Sequence, residues 1–278
     1  MRALAPPTEF DGGGIGNVVA STFSPRRASG GDWQVIALCG RGGTAEVWHV
    51  QAHDGREAAL KRLKPELRQR AGAPARLRGE FALLQRIASS SLVTPLELVE
   101  YEDGPALALE YLPNGDLVSL VGAPARHWLP ALRVVVAALT DLHAHGTAHG
   151  DLKARNVLFA RDQTARVVDL SAARAVDAPA IGSTAAYSVP AGMSATARDA
   201  DCFALAVLVH ELATGQLPYG DERPAKPAVI RPAAVPLDPQ AARLAAAAKQ
   251  MLEAAGSLLP QGLSYFSDVI ESVGAAGA

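Results

Sequence analysis

The stretch HGDLKARNVLF, residues 149–159, places an acid, a base and an amide close together in the chain. Asp151 offers a carboxylate that can accept or orient the proton of a hydroxyl group. Lys153 offers a positive charge for a moving phosphoryl group, and Asn156 a side-chain oxygen of the kind that Mg²⁺ prefers. Further along, Asp169 closes a strand-like run and can add a carboxylate to the same cation. The pattern predicts phosphoryl-transfer chemistry.

A glycine-rich run, CGRGGTAEVWHV, lies upstream at residues 39–50 and contains Gly40, Gly42 and Gly43. A dinucleotide-binding fingerprint would lead from a strand into a helix, whereas the alternation in this run leads into a second strand. A glycine-rich turn between two strands can lay backbone N–H groups over phosphates. The run therefore predicts a flap over a phosphate-containing ligand.

An ion pair is expected between the next strand and the first predicted helix. Lys61 ends the apolar run of that strand. Residues 76–87 predict the helix, and Glu80 lies beside its apolar stripe, which is formed by Phe81, Leu84 and Ile87. A glutamate on the buried side of a helix needs a partner, because an unpaired buried charge is costly. Lys61 is the candidate, and the pair would hold its ammonium group against the α- and β-phosphates of a nucleotide.

Composition narrows the class of protein. The 278 residues carry 26 Lys and Arg against 28 Asp and Glu, which argues against a nucleic-acid surface or a polybasic membrane patch. Cys39 and Cys202 match neither a metal site nor a disulfide framework, so a cytoplasmic location is expected. The apolar stretches 132–142 and 202–215 are interrupted by charges before they reach membrane-spanning length. They predict buried helices, not membrane insertion.

The chain divides into three parts by sequence texture. Residues 1–32 are rich in Gly, Pro, Ser and Ala and are expected to form a flexible extension. Residues 33–112 contain short strand-like runs with turns at Asp54-Gly55 and Asp103-Gly104, which predict a small, mostly antiparallel sheet with one helix. Residues 113–278 have mainly helical patterns, apart from a hairpin-like pair of runs. The expected fold class is α+β with two lobes.

These motifs together resemble the eukaryotic-type (Hanks-type) protein serine/threonine kinase family, in a bacterial-like form, over roughly residues 36–220. The resemblance implies ATP with Mg²⁺ as cofactor, Mn²⁺ being an alternative ion. It also implies transfer of the γ-phosphoryl group to a serine or threonine of a protein substrate. The combination of Lys153 with Thr184 is similar to the serine/threonine branch of the family and not to the tyrosine branch.

The resemblance assigns roles residue by residue. Catalytic roles fall on Asp151, Lys153, Lys61 and Glu80, and metal-binding roles on Asn156 and Asp169. Nucleotide-binding roles fall on the glycine-rich loop, the hinge and the two walls of the adenine site: Gly40, Arg41, Gly42, Gly43, Val47, Ala59, Lys61, Leu109, Glu110, Leu112 and Leu158. Residues 184–190, TAAYSVP, look like the segment that shapes the substrate-acceptor site, and Asp201 like the helix Asp that braces the catalytic loop.

Three positions depart from the family pattern. Gly150 stands where an Arg usually binds a phosphate on the activation segment, so activity is not expected to depend on that phosphate. Ser171 replaces a glycine and should make the turn at residues 169–171 stiffer. Ala191 replaces a Glu that pairs with a distant Arg, and no Lys or Arg follows Lys249. Joint replacement of both partners indicates a remodelled C-terminal lobe.

Two alternatives to an active kinase stay open. A pseudokinase that uses the fold as a binding surface would account for the three departures. A small-molecule phosphotransferase shares the His-Gly-Asp sequence at 149–151. All six polar residues of the expected machinery are retained, which favours the active kinase, and residues 184–190 and Asp201 disfavour the small-molecule enzyme. The sequence names neither the protein substrate nor the oligomeric state.

Overall fold

The computed structural model describes residues 33–182, 184–225, 229–253 and 261–275. The expected extension at 1–32 and the side chain of Ser183 lie outside these residues. Five strands form the first part of the structure: β1 Trp33–Arg41, β2 Ala45–Ala52, β3 Glu57–Leu63, β4 Pro95–Tyr101 and β5 Gly104–Leu109. They make one antiparallel sheet in the spatial order β1-β2-β3-β5-β4.

Turn chemistry and alternation explain this sheet. Gly55 and Gly104 have φ values of 86° and 129°, which a residue with a Cβ rarely adopts, and they close the two predicted hairpins. Trp48, Val50 and Leu60 point to one face of the sheet, where they form a buried apolar cluster. The opposite face packs against the first long helix. The predicted hairpins are therefore confirmed.

Two helices, α1 Pro65–Arg68 and α2 Ala73–Ile87, lie between β3 and β4. The sequence pattern placed the start of the longer helix at residue 76, but α2 begins after Gly72, with a proline in its first turn. Its buried face comprises Leu77, Glu80, Leu84 and Ile87. Phe81, expected on this face, is only half-buried and packs against the edge of the core, whereas Leu77 is buried.

The second lobe is mainly helical. Its long helices are α3 Ala125–Ala144, α4 Ala197–Thr214, α5 Pro239–Glu253 and α6 Gly262–Ala275. The predicted hairpin is present as β7 Val157–Phe159 with β8 Ala165–Val167, and a further pair, β6 Thr147–Ala148 with β9 Arg174–Ala175, was not predicted. The two apolar stretches lie in α3 and α4 with buried side chains, as predicted.

The chain passes between the lobes through a short hinge, residues 110–112. The backbone N–H of Glu110 donates to the carbonyl of Thr94 at 2.9 Å, and that of Asn114 donates to the carbonyl of Phe159 at 3.1 Å. The first bond ties the hinge to the sheet and the second ties its exit to β7, so we propose the lobe boundary at 112/113. Within the described ranges, no helix has both the length and the apolar character needed to cross a membrane.

His210 is a buried, titratable side chain in α4. His210 is 4% exposed, and neither of its ring nitrogens has a hydrogen-bond partner among the described residues. Burial lowers the pKa of His210 below its ordinary value of 6.5, because an imidazolium ion would lose its hydration there. The folded protein thus keeps His210 neutral at pH values where the unfolded chain binds a proton.

We expect the free energy of unfolding to decrease as the pH falls below about 6.5, by up to about 1.4 kcal/mol per pH unit from this one group. Above that pH the contribution is complete, because both states are neutral. Denaturant unfolding at about pH 5.5 and pH 7.5 measures the effect, and the pH dependence of His210→Leu should be shallower. The exposed His53 provides the control variant His53→Leu. Equal pH slopes for the wild type and His210→Leu would contradict this account.

Candidate active site

Lys61 lies at the centre of an ion-pair cluster between the lobes. Its Nζ donates to both carboxylate oxygens of Glu80 at 2.8 Å and to Oδ1 of Asp169 at 2.7 Å. Lys61 on β3 and Glu80 on α2 are 7% and 4% exposed. Burial alone would lower the pKa of Lys61, but the two carboxylates raise it above its ordinary value. The pair expected from the sequence is therefore present, and its lysine stays cationic.

The sequence pattern predicts Asp169 at the end of a strand. In the structure β8 ends at Val167, and Asp169 lies two residues beyond it. It adopts a left-handed conformation, with φ 66°, and its Oδ1 accepts from the N–H of Ser171 at 3.3 Å. Burial favours the neutral carboxyl group, but the Lys61 ammonium outweighs it and holds the pKa of Asp169 well below its usual range. The N–H of Leu170 donates to Oε1 of Glu80 at 3.2 Å, which ties this turn to α2.

The carboxylate of Asp151 belongs to a triangle of polar groups. Oδ2 accepts from Nζ of Lys153 at 2.7 Å, and Oδ1 accepts from the hydroxyl group of Thr184 at 2.6 Å. Nζ of Lys153 also donates to Oγ1 of Thr184 at 2.8 Å. The contact between Lys153 and Thr184 links the loop at residues 149–156, here called the catalytic loop, to the segment 184–190. An ammonium group and a hydroxyl group therefore flank the carboxylate.

Asn156 lies in a 3₁₀ turn, Ala154–Asn156, and is largely buried. Its Nδ2 donates to the backbone carbonyl of Asp151 at 2.8 Å. Its own backbone carbonyl accepts from the N–H of Val168 at 2.9 Å, which brings it next to Asp169 in space. Because the side-chain nitrogen is engaged by the loop, the side-chain oxygen is the group that can serve a cation.

The donor set suits a magnesium ion that binds together with a nucleotide. Asp169 supplies a carboxylate and Asn156 an amide oxygen. Among the described residues, no group of three or more His, Cys, Asp or Glu could hold a metal ion without other ligands. Mg²⁺ is commonly held by one or two carboxylates with the remaining positions filled by phosphates and water. The residues present therefore fit this cofactor.

Asp201, on α4, holds the backbone of the catalytic loop by hydrogen bonds. It is 1% exposed, and its carboxylate accepts from the backbone N–H groups of His149 at 2.8 Å and Gly150 at 2.9 Å. Nε2 of His143 lies 2.8 Å from the same carboxylate. Sequence reasoning missed His143. The available signal was its place on the buried face of α3, four residues after Leu139, where a polar side chain needs a partner.

Gly150 has no space for a side chain. Its φ is 80°, and a Cβ at this position would lie 2.5 Å from the carbonyl oxygen of Ala172. The catalytic loop and the turn after Asp169 therefore approach each other more closely than two residues with side chains would allow. Any residue with a Cβ at position 150, an Arg included, would require the backbone of the neighbouring turn to move.

The expected nucleotide-binding residues that belong to strands lie on β2, β3, β5 and β7. Val47 pairs with Lys61 across β2 and β3, and Ala59 pairs with Leu109 across β3 and β5, so the upper wall and the hinge end of the sheet adjoin. Leu158 lies on β7 of the second lobe; like Val47 and Ala59, it is half-buried. These apolar positions leave surface that a flat ring can cover.

The other nucleotide-binding positions lie in the glycine-rich loop and in the hinge. The glycine-rich loop comprises Gly40 and Arg41 at the end of β1, and Gly42 and Gly43 between β1 and β2; the hinge positions Glu110 and Leu112 follow β5. The N–H of Gly42 donates to the carbonyl of Ala45 at 2.8 Å. The side chain of Arg41 turns to Glu46, at 3.2 Å. The loop is therefore a tight turn whose other backbone groups can face a ligand.

The segment around Ala191 is held by contacts to backbone groups. The N–H of Ala191 donates to the carbonyl of Pro224, and Nε of Arg223 donates to the carbonyl of Val189, both at 2.9 Å. These bonds anchor the segment to the start of the Pro-rich stretch 222–239. A carboxylate at position 191 is thus not needed to hold it.

Comparison with known proteins agrees with this geometry. The family profile described as "Protein kinase domain" matches residues 33–260. The serine/threonine-protein kinase pkn2 of Myxococcus xanthus is 27% identical over 212 residues, which cover 70% of this chain and 26% of that protein. A probable serine/threonine-protein kinase of Streptomyces coelicolor is 30% identical over 227 residues (72% and 32%).

A third relative comes from rice. CBL-interacting protein kinase 4 of Oryza sativa subsp. japonica is 31% identical over 210 residues, which cover 69% of this chain and 46% of that protein. The chain thus spans between about a quarter and about a half of the length of these relatives.

Proposed function

Because this chain belongs to the protein kinase domain family, we propose that it transfers the γ-phosphoryl group of ATP to serine and threonine hydroxyl groups of proteins. Its family and its bilobal α+β fold, both predicted from the sequence, are confirmed. The observation that supports activity is the Lys61 cluster. Lys61 forms with Glu80 the ion pair that phosphoryl transfer by protein kinases requires. It also contacts Asp169, whose carboxylate would hold Mg²⁺ beside the phosphates.

We propose that positioning and charge neutralisation do most of the catalytic work. Lys61 orients the phosphates, and Asp169 and Asn156 hold Mg²⁺. The bound ion neutralises charge on the phosphate oxygens. Lys153 adds a second positive charge beside the acceptor.

Asp151 acts on the attacking hydroxyl group. Its Oδ1 already accepts a hydrogen bond from the hydroxyl group of Thr184, which supports a role in orienting the hydroxyl group of a substrate. In the reaction the substrate oxygen bonds to the γ-phosphorus, the bond to the β-phosphate oxygen breaks, and Asp151 takes the proton. ADP leaves with the electron pair of the broken bond.

The proposal also covers the regulation of the protein, its substrates and cofactor, and its cellular location. Position 150 has no side chain to bind a phosphate, while Lys153, Thr184 and Asp151 are already in contact, so we propose activity without phosphorylation of the activation segment. The substrates are proteins, and ATP with Mg²⁺ is the cofactor. A cytoplasmic site of action agrees with the use of ATP and with two free cysteines, Cys39 and Cys202.

The proposed function is tested by incubating the protein with labelled ATP and Mg²⁺, and with a generic basic protein as acceptor. Mass spectrometry is expected to place phosphate on serine and threonine residues of the acceptor. Choline and an aminoglycoside, offered in parallel, are expected to stay unlabelled. Nucleotide binding without any transfer would favour the pseudokinase, and label on either small molecule would favour the small-molecule phosphotransferase.

Thr184 offers a sharper prediction. Thr184→Val keeps the shape of the side chain but removes the hydroxyl that contacts Asp151 and Lys153. We expect kcat to fall by about tenfold to a hundredfold, because the acid and the lysine lose the group that aligns them. The KM for ATP should change little. Thr184→Ser keeps the hydroxyl and is expected to retain most of the activity; equal losses in the two variants would argue against the hydrogen bonds.

A further inference from the structure

The hinge carries a ring stack that none of the catalytic roles uses. The imidazole of His49 lies parallel to the ring of Tyr111, with 3.8 Å between the ring centroids and 5° between the planes. His49 is on β2, two residues after Val47, and Tyr111 lies in the hinge between Glu110 and Leu112. The stack therefore joins the strand above the proposed adenine site to the hinge beside it.

Two further groups orient this stack. Nε2 of His49 lies 2.9 Å from Oε1 of Glu57, at the start of β3, and the other oxygen of Glu57 accepts from Nη2 of Arg161. Arg161 belongs to the turn between β7 and β8, in the second lobe. The hydrogen bond from Arg161 and the one with His49 lower the pKa of Glu57, so it remains a carboxylate. A continuous chain of contacts thus runs from the second lobe through two strands to the hinge.

A second ion pair also connects the β7–β8 hairpin to the first lobe. Nε of Arg166, on β8, lies 3.7 Å from Oε2 of Glu110 in the hinge. The β7–β8 hairpin thus directs two arginines toward carboxylates above it, one on β3 and one in the hinge. Exposed ion pairs contribute little by themselves, but the stacked rings between them are half-buried and nearly parallel.

We infer that His49, oriented by Glu57 and Arg161, is a positioning residue for the nucleotide: its stack on Tyr111 sets the separation of β2 and the hinge, and with it the width of the adenine slot. This inference rests on the proposed function, because it concerns the affinity for ATP. A slot held at the width of a ring does not have to be ordered when the ring enters, and binding is stronger for that reason. The stack involves neither Lys61 nor Asp151, the residues proposed to act on the phosphates and on the attacking hydroxyl group, so we expect the chemical step to be unaffected.

The test compares variants that remove the stack with variants that keep it. His49→Ala is expected to raise both the Kd for a fluorescent ATP analogue and the KM for ATP by about threefold to tenfold, the range for loss of an aromatic pair. The value of kcat should stay within about twofold. His49→Phe retains a flat ring and should restore most of the affinity. His53→Ala, at an exposed position in the turn after β2, is the matched control.

The ion pair is tested by exchange. Glu57→Arg and Arg161→Glu should each weaken nucleotide binding. The double variant should recover part of the affinity, because the ion pair between positions 57 and 161 forms again whereas the carboxylate beside His49 is not restored. If His49→Ala fails to fold, His49→Phe and the exchanged pair still decide the question. An unchanged Kd in His49→Ala, or a loss confined to kcat, would overturn the inference. A wild-type protein that binds no ATP analogue would instead overturn the proposed function.

Discussion

Asp169→Asn is expected to lower kcat/KM for protein phosphorylation by about a thousandfold while the protein stays folded. The substitution keeps the size of the side chain and removes its negative charge. Lys61 holds Asp169 ionised in the folded state, so the charge is present at neutral pH. Without it, the site offers the divalent ion only neutral amide oxygens and no carboxylate.

The fold should survive because Lys61 keeps a partner. Both carboxylate oxygens of Glu80 remain within 2.8 Å of its Nζ, so no buried charge is left unpaired. A radiometric transfer assay measures the loss of activity, and thermal unfolding checks the fold. Asp54→Asn, at an exposed turn between β2 and β3, is the matched control and should be fully active. Undiminished transfer by Asp169→Asn would mean that the phosphate came from another enzyme or site.

Gly150→Ala is expected to destabilise the protein by about 2–4 kcal/mol and to reduce activity strongly. A Cβ in the left-handed conformation is unfavourable, and here it would also lie 2.5 Å from the carbonyl oxygen of Ala172. The backbone must move to relieve that contact. The movement would displace Asp151 on one side and the turn after Asp169 on the other.

Gly146→Ala separates the two causes. Gly146 has a similar φ of 70°, but a Cβ there would have no heavy atom within 4 Å, so only the conformational cost of about 1–2 kcal/mol applies. Denaturant unfolding of both variants measures the difference, which reports the contact with Ala172. Gly150→Arg should behave like Gly150→Ala and should not gain dependence on a phosphate. Equal destabilisation by the variants at 146 and 150 would contradict the close approach.

Local patterns in the sequence predicted much of the structure. The strands, the two hairpin turns and the buried helices follow from alternation and from positive-φ glycines, which act over a few residues. The Lys61–Glu80 pair could also be predicted, because a glutamate on the buried side of a helix requires a cation. The predicted start of α2 at residue 76 is too late, because the helix begins at Ala73, directly after Gly72, with a proline in its first turn.

Other features depend on residues far apart in the chain, and no local pattern marks them. The short β6–β9 pair, the contact of His143 with Asp201 and the stack of His49 on Tyr111 each join different elements. The sequence could suggest that His143 needed a partner but could not identify it. Which groups meet depends on how helices and strands pack, and packing selects among many chemically acceptable pairs.

The amino-acid sequence alone determined the family and the two-lobed class, and it predicted the polar residues of the candidate site, because motifs at short, characteristic spacings carry the resemblance to the family. Only the tertiary structure decided how Gly150 should be understood. Its sequence context shows a missing Arg, whereas the backbone of Ala172 in the folded chain occupies the space of any side chain. Steric exclusion between two loops is a property of their arrangement in space, and a one-dimensional pattern does not contain it.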